Sequence, residues 1–274
     1  PIGGSSSDVT ITLTGRGVTV SKVFKVQVVD LDAFVFTVDA NATGYAGGST
    51  TLSDFPALLR LSVAGINGLS YNGFLNRDGN GNSTGYDLRI FDANGRALPY
   101  QIENWDPAGV SEVWVRVSDL NTSTSLTLAW GNPSATAIQP YTYDGSVWTN
   151  GFAGVYHMDQ AVLGKQSDSS PSSNHATDSG FVDGNQTTKV IAAYRTQGSN
   201  SAGAMTTPSG SLNSVQEGSY TVSGWYKRSS ASSGYPNAFV ARGYNGGQSD
   251  DVLNNINTMI TRAYDGQRIW TTED

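Results

Sequence analysis

The stretch of sequence that decides the fold is SEVWVRVSDLNTSTSLTLAW, residues 111–130. Apolar residues occupy every second position in its two halves, and polar or aromatic residues such as Glu112, Trp114, Arg116 and Thr127 stand between them. A side-chain period of two is typical of β-strands that have one face in a core and one face in water. We therefore predict that one core contains Val113, Val115, Val117, Leu126, Leu128 and Trp130.

The same alternation continues upstream of this stretch. Leu88 and Ile90 are predicted to face a core, with Asp87 and Arg89 on the opposite face in water. Turn-forming sequences stand where the runs stop, namely DANG at 92–95, DPAG at 106–109 and NP at 132–133. This pattern predicts an all-β chain of tandem antiparallel β-sandwiches, of the jelly-roll or immunoglobulin-like type.

Composition excludes several classes of protein. The net charge of -7 argues against a nucleic-acid partner, which requires clustered Lys and Arg. No apolar run approaches the roughly 20 residues that span a bilayer, so we predict no direct membrane insertion. Cysteine is absent and only 14% of residues are charged, whereas Gly, Ser, Thr and Asn are abundant. Since exported bacterial proteins of this kind often lack disulfides, we expect an extracellular or cell-surface location.

Residues 86–159 resemble a domain family of unassigned function in large bacterial surface proteins. FPALLRL at 55–61 is similar to the F-P-x-L-x-R-L strand of that family. In the family, this domain typically precedes a concanavalin-like (laminin-G-like) module. FAGVYHM at 152–158 resembles the first strand of such a module, residues 168–171 with NHAT at 174–177 resemble the loop that follows, and YTVSGWYK at 220–227 resembles a later strand.

Three parts of the chain are expected. Residues 1–32 contain a predicted hairpin that resembles the closing strands of a preceding immunoglobulin- or cadherin-like repeat; alternatively, both strands belong to the sheet of the next domain. Residues 33–150 are the β-sandwich of unassigned function. Residues 151–274 are the concanavalin-like module, which we expect to be incomplete in this chain. The resemblance implies that the strand beginning at Tyr220 lies in the first half of that sandwich.

No arrangement of residues indicates catalysis. His157 and His175 fall in predicted strands or loops, there is no G-x-S-x-G elbow, and no zinc spacing occurs. Glucanases of the laminarinase type, which share the concanavalin-like fold, carry their acids as E-x-D-x-x-E on one strand, whereas residues 103–106 read E-N-W-D, and Glu217 and Glu273 are isolated. We therefore predict that the protein is not an enzyme and that His157 is a packed structural residue.

Calcium is the one cofactor that the sequence suggests. Asp78, Asn80 and Asn82 place oxygen ligands at alternate positions of a Gly-rich loop, as hard cations require. The loop lacks the Gly and Glu of an EF-hand, and the alternative is an Asn-Gly turn that binds no ion. Asp168 and Asn174 form a similar, weaker candidate.

Aromatic side chains are the candidate carbohydrate-binding residues. Trp114 alternates with the core valines, and three further rings lie in predicted loops: Trp105, Tyr235 and Tyr244. Glycan sites use such rings beside polar groups, although the same rings can instead cover cores.

The expected function is non-catalytic adhesion or glycan binding at a cell surface, with glycans or matrix polymers as partners. The first alternative is a structural subunit of an extracellular filament, sheath or surface layer, in which copies of the chain contact each other through sheet edges. The third is a glycan-degrading enzyme.

Overall fold

The structure is a computed structural model. It describes residues 6–15, 18–27, 31–42, 45–159, 164–179, 181–183, 195–196, 204–207, 223, 237–240, 259–262 and 268–270. Side-chain packing is described chiefly for residues 31–42, 45–159 and 164–178.

The first two strands form the predicted hairpin. β1 (Ser6–Gly15) pairs with β2 (Val18–Gln27) in antiparallel register, with Ser6 opposite Gln27. Among the described residues the two strands form a sheet of their own. Their assignment to a preceding repeat stays a prediction.

The central part of the chain forms two antiparallel sheets of three strands each. The strands are β3 (Phe36–Asn41), β4 (Leu52–Leu61), β5 (Arg89–Phe91), β6 (Tyr100–Asn104), β7 (Ser111–Leu120) and β8 (Ser125–Trp130). One sheet, here the β8 sheet, has the order β3-β8-β5; the other, the β7 sheet, has the order β4-β7-β6. Short 3-10 turns at Leu31–Ala33, Tyr71–Gly73, Pro133–Ala135, Pro140–Thr142 and Ser146–Trp148 lie in the connections.

One hydrophobic core joins the two sheets, and it contains the six predicted residues: Val113, Val115, Val117, Leu126, Leu128 and Trp130. Trp130 is fully buried and stacks between two phenylalanine rings, with centroid distances of 5.4 Å to Phe36 and 5.2 Å to Phe74. Burying such rings removes a large apolar area from water. The period-two interpretation of β7 and β8 is therefore confirmed, and so is the all-β fold class.

The prediction that Arg89 lies in water is wrong. Its side chain is fully buried, because the connection after β8 covers the outer face of the β8 sheet. Its Nη2 donates to the carbonyl oxygens of Ala135 (2.6 Å) and Ala137 (3.0 Å). Its Nη1 donates to those of Tyr86 (3.0 Å) and Leu88 (2.7 Å). The guanidinium, with its fixed fork of donors, thus holds a segment that forms no ladder of its own.

Asp87 is also fully buried, against the same prediction. Its carboxylate accepts hydrogen bonds from the backbone N–H groups of Leu75 (2.8 Å) and Asn76 (3.0 Å). A third, longer contact comes from the N–H of Gly131 (3.4 Å). A buried carboxylate is tolerated where donors replace water, so Asp87 fixes the chain before β5 to the backbone at residues 75 and 76 and, through the longer contact, to the end of β8. Leu88 and Ile90 lie in the core as predicted.

The predicted turns are present. In the DANG turn, Gly95 has a φ of 74° and donates its N–H to the carbonyl oxygen of Asp92. In the DPAG turn, the N–H of Gly109 donates to the carbonyl oxygen of Asp106. Asn132 caps the turn after β8 by accepting from the N–H of Ser134 at 2.9 Å.

The described remainder is also antiparallel. β9 (Thr177–Ser179) pairs with β12 (Ala204–Thr206), and β10 (Phe181–Asp183) pairs with β11 (Arg195–Thr196). A three-stranded sheet with the order β13-β14-β15 consists of β13 (Asn237–Val240), β14 (Met259–Arg262) and β15 (Arg268–Trp270). Apart from residue 223, the predicted strand at 220–227 lies outside the described residues. The described residues contain no helix that is long and apolar enough to cross a membrane.

The core predicts the effect of Val115→Asp. Val115 is fully buried on β7, between Ala57 on β4 and Tyr100 on β6. A carboxylate there would be buried without a partner, so we expect a loss of about 3 to 5 kcal/mol in the free energy of unfolding. Urea denaturation measures this loss. Thr122→Asp, in an exposed turn, is the control; an equal effect in both variants would contradict the register of β7.

Candidate functional site on the outer face of the β7 sheet

The outer face of the β7 sheet carries the side chains that alternate with the core residues. On β7 these include Glu112, Trp114 and Arg116, which are half-buried where the core valines are buried. The antiparallel register places Arg60 opposite Glu112 and Leu58 opposite Trp114. The predicted outward position of Trp114 is thus confirmed.

Leu58 and Trp114 form a row with an ion pair on each side. On one side, Nε of Arg60 lies 3.2 Å from Oε1 of Glu112. On the other, Nε of Arg116 lies 3.7 Å from Oδ1 of Asp54. Leu58 is 43% exposed on the edge strand β4. These six residues are called the Leu58–Trp114 row below.

Residues 148–157 are here called the strap, and they pack against Trp114 through the ring of Trp148. The ring of Trp148 is 5.2 Å from that of Trp114, and Phe152 packs edge-on against Trp148 at 5.3 Å. Nη1 of Arg116 donates to Oγ1 of Thr149 at 2.6 Å. The side-chain amide of Asn150 donates to the carbonyl oxygen of Ser53 at 2.9 Å.

The predicted strand at 152–158 is not formed. The strap is held to the sheet by side chains, and its backbone enters no ladder with a neighbouring strand among the described residues. The φ angle of 57° at Met158, directly after the strap, is outside the extended region that a strand requires.

Gln101 on β6 is the centre of the contact between the sheet and the strap. Its Oε1 accepts from the indole Nε1 of Trp148 at 2.6 Å. Because the indole nitrogen can only donate, this bond determines the orientation of the amide. The Nε2 of Gln101 is then the donor to Oγ of Ser169 (3.2 Å), and it faces Nε2 of His157 at 3.2 Å.

The amide orientation also determines the tautomer of His157. Since Nε2 of the ring faces a donor, it acts as an acceptor, and the proton lies on Nδ1. Nδ1 forms a close pair with Oε2 of Glu103, which also accepts from Nε1 of Trp114 at 3.0 Å. His157 is half-buried beside Trp148, as predicted for a packed structural residue.

Glu103 reaches these partners through an irregularity in β6. The ladder with β7 shifts register between Ile102 and Asn104, so Glu103 is the extra residue of a bulge. Bulges re-aim side chains and often occur at sheet edges. Here the bulge turns the carboxylate towards Trp114 and His157.

Asp168 ties together the loop that follows the strap. Its carboxylate accepts from the N–H groups of Val155, Ser170 and Asn174 and from the hydroxyl of Ser170, each at 2.8 Å. Its own N–H donates to Nδ1 of His175 at 3.1 Å. Four hydrogen-bond donors therefore surround the carboxylate of Asp168, which the sequence offered as the weaker cation candidate.

Burial raises the pKa of the nearby Tyr156 to about 12, and the charge of Asp168 acts in the same direction.

The calcium candidate adopts a tight turn. Oδ1 of Asp78 accepts from the N–H groups of Asn80 and Asn82, both at 2.8 Å, and Oδ2 accepts from the side-chain amide of Asn82 at 3.1 Å. The hydrogen bond from the N–H of Asn82 is the main cause that lowers the pKa of Asp78. In the described residues, no group of three or more His, Asp and Glu side chains could hold a metal. Calcium binding stays a prediction.

The other aromatic candidates have different surroundings. Trp105 is half-buried against the core, edge-on to Tyr71 and Phe74, and its Nε1 donates to Oγ of Ser83 at 3.1 Å. Tyr235 and Tyr244 lie outside the described residues. Of the four candidates, Trp114 is the one that the structure describes on an outer sheet face.

The comparisons with known proteins agree with one part of the sequence analysis. A family model described as "Domain of unknown function (DUF2341)" matches residues 84–162. The match begins before β5 and continues through Trp148 and His157. No curated protein and no solved structure matches the chain. A domain of unassigned function is therefore present, and its matched residues include those on β6, β7 and the strap that form the contact.

Several residues of this site were not identified from sequence. Gln101, Trp148 and Ser169 lie in stretches that carry a resemblance, but nothing in those stretches marks them as a contact cluster, and their contacts join residues 47 and 68 positions apart. Gln101 lies opposite Trp114 in the ladder between β6 and β7, so both residues belong to the outer face. This alternation is the one signal that could have placed Gln101 there.

Gln101→Ala should release the strap. The substitution removes the partner of Trp148, His157 and Ser169 together, and net hydrogen-bond contributions of about 0.5 to 1.5 kcal/mol each predict a local loss of about 1.5 to 4.5 kcal/mol. We expect faster hydrogen–deuterium exchange in residues 149–170 and unchanged exchange in β8. Gln139→Ala, on the connection after β8, is the control. Unchanged exchange in the strap would refute the role of Gln101.

Proposed function

We propose that the protein is a non-catalytic, extracellular adhesion or glycan-binding protein and that the Leu58–Trp114 row contacts the glycan. The observation that carries the proposal is the position of Trp114 on an outer sheet face, beside the exposed Leu58 and between two ion pairs. Sugar rings have an apolar C–H face that packs on an indole, while their hydroxyl groups hydrogen-bond to polar neighbours. The row offers both kinds of contact within one surface.

Two properties of the site support a role in binding. The indole of Trp114 is held from behind by Glu103 and by Trp148, so little side-chain entropy would be lost on binding. The carboxylate nearest to the indole, that of Glu103, is engaged by Trp114 and His157. A catalytic role would require a carboxylate that can reach the substrate, whereas Glu103 already has two structural partners. This supports a binding role for the surface.

The extracellular location is supported by composition. Few residues are charged, no cysteine is present, and the polar residues are mainly Gly, Ser, Thr and Asn. We also propose that residues 151–274 form a concanavalin-like module. This is supported by the resemblance of 168–177 and 220–227 to such modules, and by the antiparallel pairing of the described strands from β9 onwards.

Trp114→Ala should weaken glycan binding. Removal of a central aromatic residue typically costs 2 kcal/mol or more, so we expect the dissociation constant to rise by about 30-fold. Affinity electrophoresis in gels that contain soluble β-glucan or galactan measures the change. Because Trp114 also packs on Trp148, Leu58→Asp is a second variant that leaves this contact intact.

Tyr143→Ala is the control for that experiment, since Tyr143 is an aromatic residue that is 70% exposed in another part of the domain. Thermal unfolding shows whether each variant is folded. Equal retardation of wild type, Trp114→Ala and Leu58→Asp would contradict the assignment of the row. Reducing-end assays on the same mixtures test the glycan-degrading alternative, and we expect no product.

A structural subunit is the second candidate function, and the exposed edge of β4 favours it. Within the part of the chain that the structure describes, β4 is an edge strand of ten residues, on which Phe55 is 39% and Leu58 is 43% exposed. Such edges can pair with another chain. If this function is correct, sedimentation velocity will show concentration-dependent association that Leu58→Lys abolishes, because a charge on an edge strand opposes pairing. A monomer at all concentrations favours the binding protein.

A further inference from the structure

We propose that the Leu58–Trp114 row selects uncharged glycans and excludes polyanionic ones such as polyuronates. This inference rests on the proposed function and names the class of ligand for the same site. Its basis is the arrangement of the two ion pairs that flank Trp114.

The two ion pairs have opposite orientations across the strands. On one side of Trp114, the positive group (Arg60) lies on β4 and the negative group (Glu112) lies on β7. On the other side, the negative group (Asp54) lies on β4 and the positive group (Arg116) on β7. On β7, Glu112 and Arg116 each lie two residues from Trp114, a separation of roughly 7 Å, so both are within reach of a sugar ring stacked on the indole. On β4, Arg60 lies two residues from Leu58 and Asp54 lies four from it, so Asp54 takes part through its ion pair with Arg116.

Because the two ion pairs have opposite orientations, their electrostatic fields cancel at the centre of the row. Each guanidinium already faces a carboxylate, and Glu103 adds a further acid behind Trp114. A glycan carboxylate that approached Arg60 or Arg116 would therefore also approach Glu112 or Asp54. Like charges brought together in this way are a common means of excluding a wrong ligand. The net charge of -7 acts in the same direction at longer range.

An uncharged glycan meets no such repulsion. Its hydroxyl groups can donate to the carboxylates of Glu112 and Asp54 and accept from the guanidinium groups. Arg60 can offer its terminal nitrogens for this, because its side chain is 65% exposed and its contact with Glu112 is made through Nε. Donors and acceptors on both sides of an apolar ring match a polyhydroxylated ligand without net charge.

The experiment compares two probes, an uncharged soluble β-glucan and a polyuronate, against the wild-type chain and Asp54→Asn/Glu112→Gln. The double variant keeps the shape of both side chains and removes two negative charges. Asp39→Asn/Asp144→Asn is the matched control, because it makes the same change in net charge elsewhere on the domain. Binding is measured by affinity electrophoresis at low and high salt, and thermal unfolding verifies that each variant is folded.

For the wild type, we expect β-glucan to bind at least about tenfold more tightly than polyuronate, as expected for one close like-charge contact in a partly shielded site. In Asp54→Asn/Glu112→Gln, we expect polyuronate binding to strengthen by about tenfold at low salt, and this gain to disappear at high salt. The matched control should behave as the wild type does.

The outcomes separate this inference from the proposed function. Wild-type binding of polyuronate as tight as that of β-glucan, and lost in Trp114→Ala, would overturn the selection and leave glycan binding by the row in place. An equal gain in the matched control would show that net charge, and not the ion pairs, governs selection, and would also overturn the inference. If the wild type binds neither probe, the proposed function fails together with the inference.

Discussion

The register of β7 is the constraint on which the rest of the structure depends. β7 is the central strand of its sheet and is paired on both sides, so its alternate side chains must face opposite surfaces. Val113, Val115 and Val117 therefore form the core with the β8 sheet, while Trp114 lies on the outer face. A slip of one residue would exchange these two sets. The core that stabilises the domain and the surface that we propose for binding are thus two sides of a single strand.

Segments without regular structure cover the outer face of the β8 sheet at Arg89 and part of the outer face of the β7 sheet, and both covers are fixed by similar means. On the β8 sheet, Arg89 donates to carbonyl oxygens of the connection after β8. On the β7 sheet, Gln101 and Glu103 bind the side chains of the strap. An irregular segment cannot satisfy its own polar groups through a ladder, so buried side chains with several donors or acceptors do so instead. The polar residues on these outer faces are therefore structural as well as hydrophilic.

Much of the fold could be predicted from sequence because alternation is a local signal. It identified β7, β8, the first hairpin and the residues of the core. It failed at Asp87, Arg89 and the strap, since a period of two shows that two faces differ but not what covers the second one. The cover of the β8 sheet comes from 46 residues beyond Arg89. Trp114 could be placed on an outer face, whereas Gln101 and Trp148 could not, because their contact is long-range and carries no motif.

The strap also limits where a ligand can approach Trp114. The contacts of Phe152 with Trp148, of His157 with Glu103 and of Ser169 with Gln101 cross position 150. The outer face and the strap are therefore joined where the sequence predicts a domain boundary, which itself stays a prediction. Trp148 occupies one side of the indole, and the accessible side is that of Leu58 on the edge strand β4. Both proposed functions use this edge. A glycan stacked beside Leu58 would obstruct a second chain that pairs with β4, and a paired chain would obstruct the glycan. Ligand binding and self-association through β4 should therefore compete for the same surface.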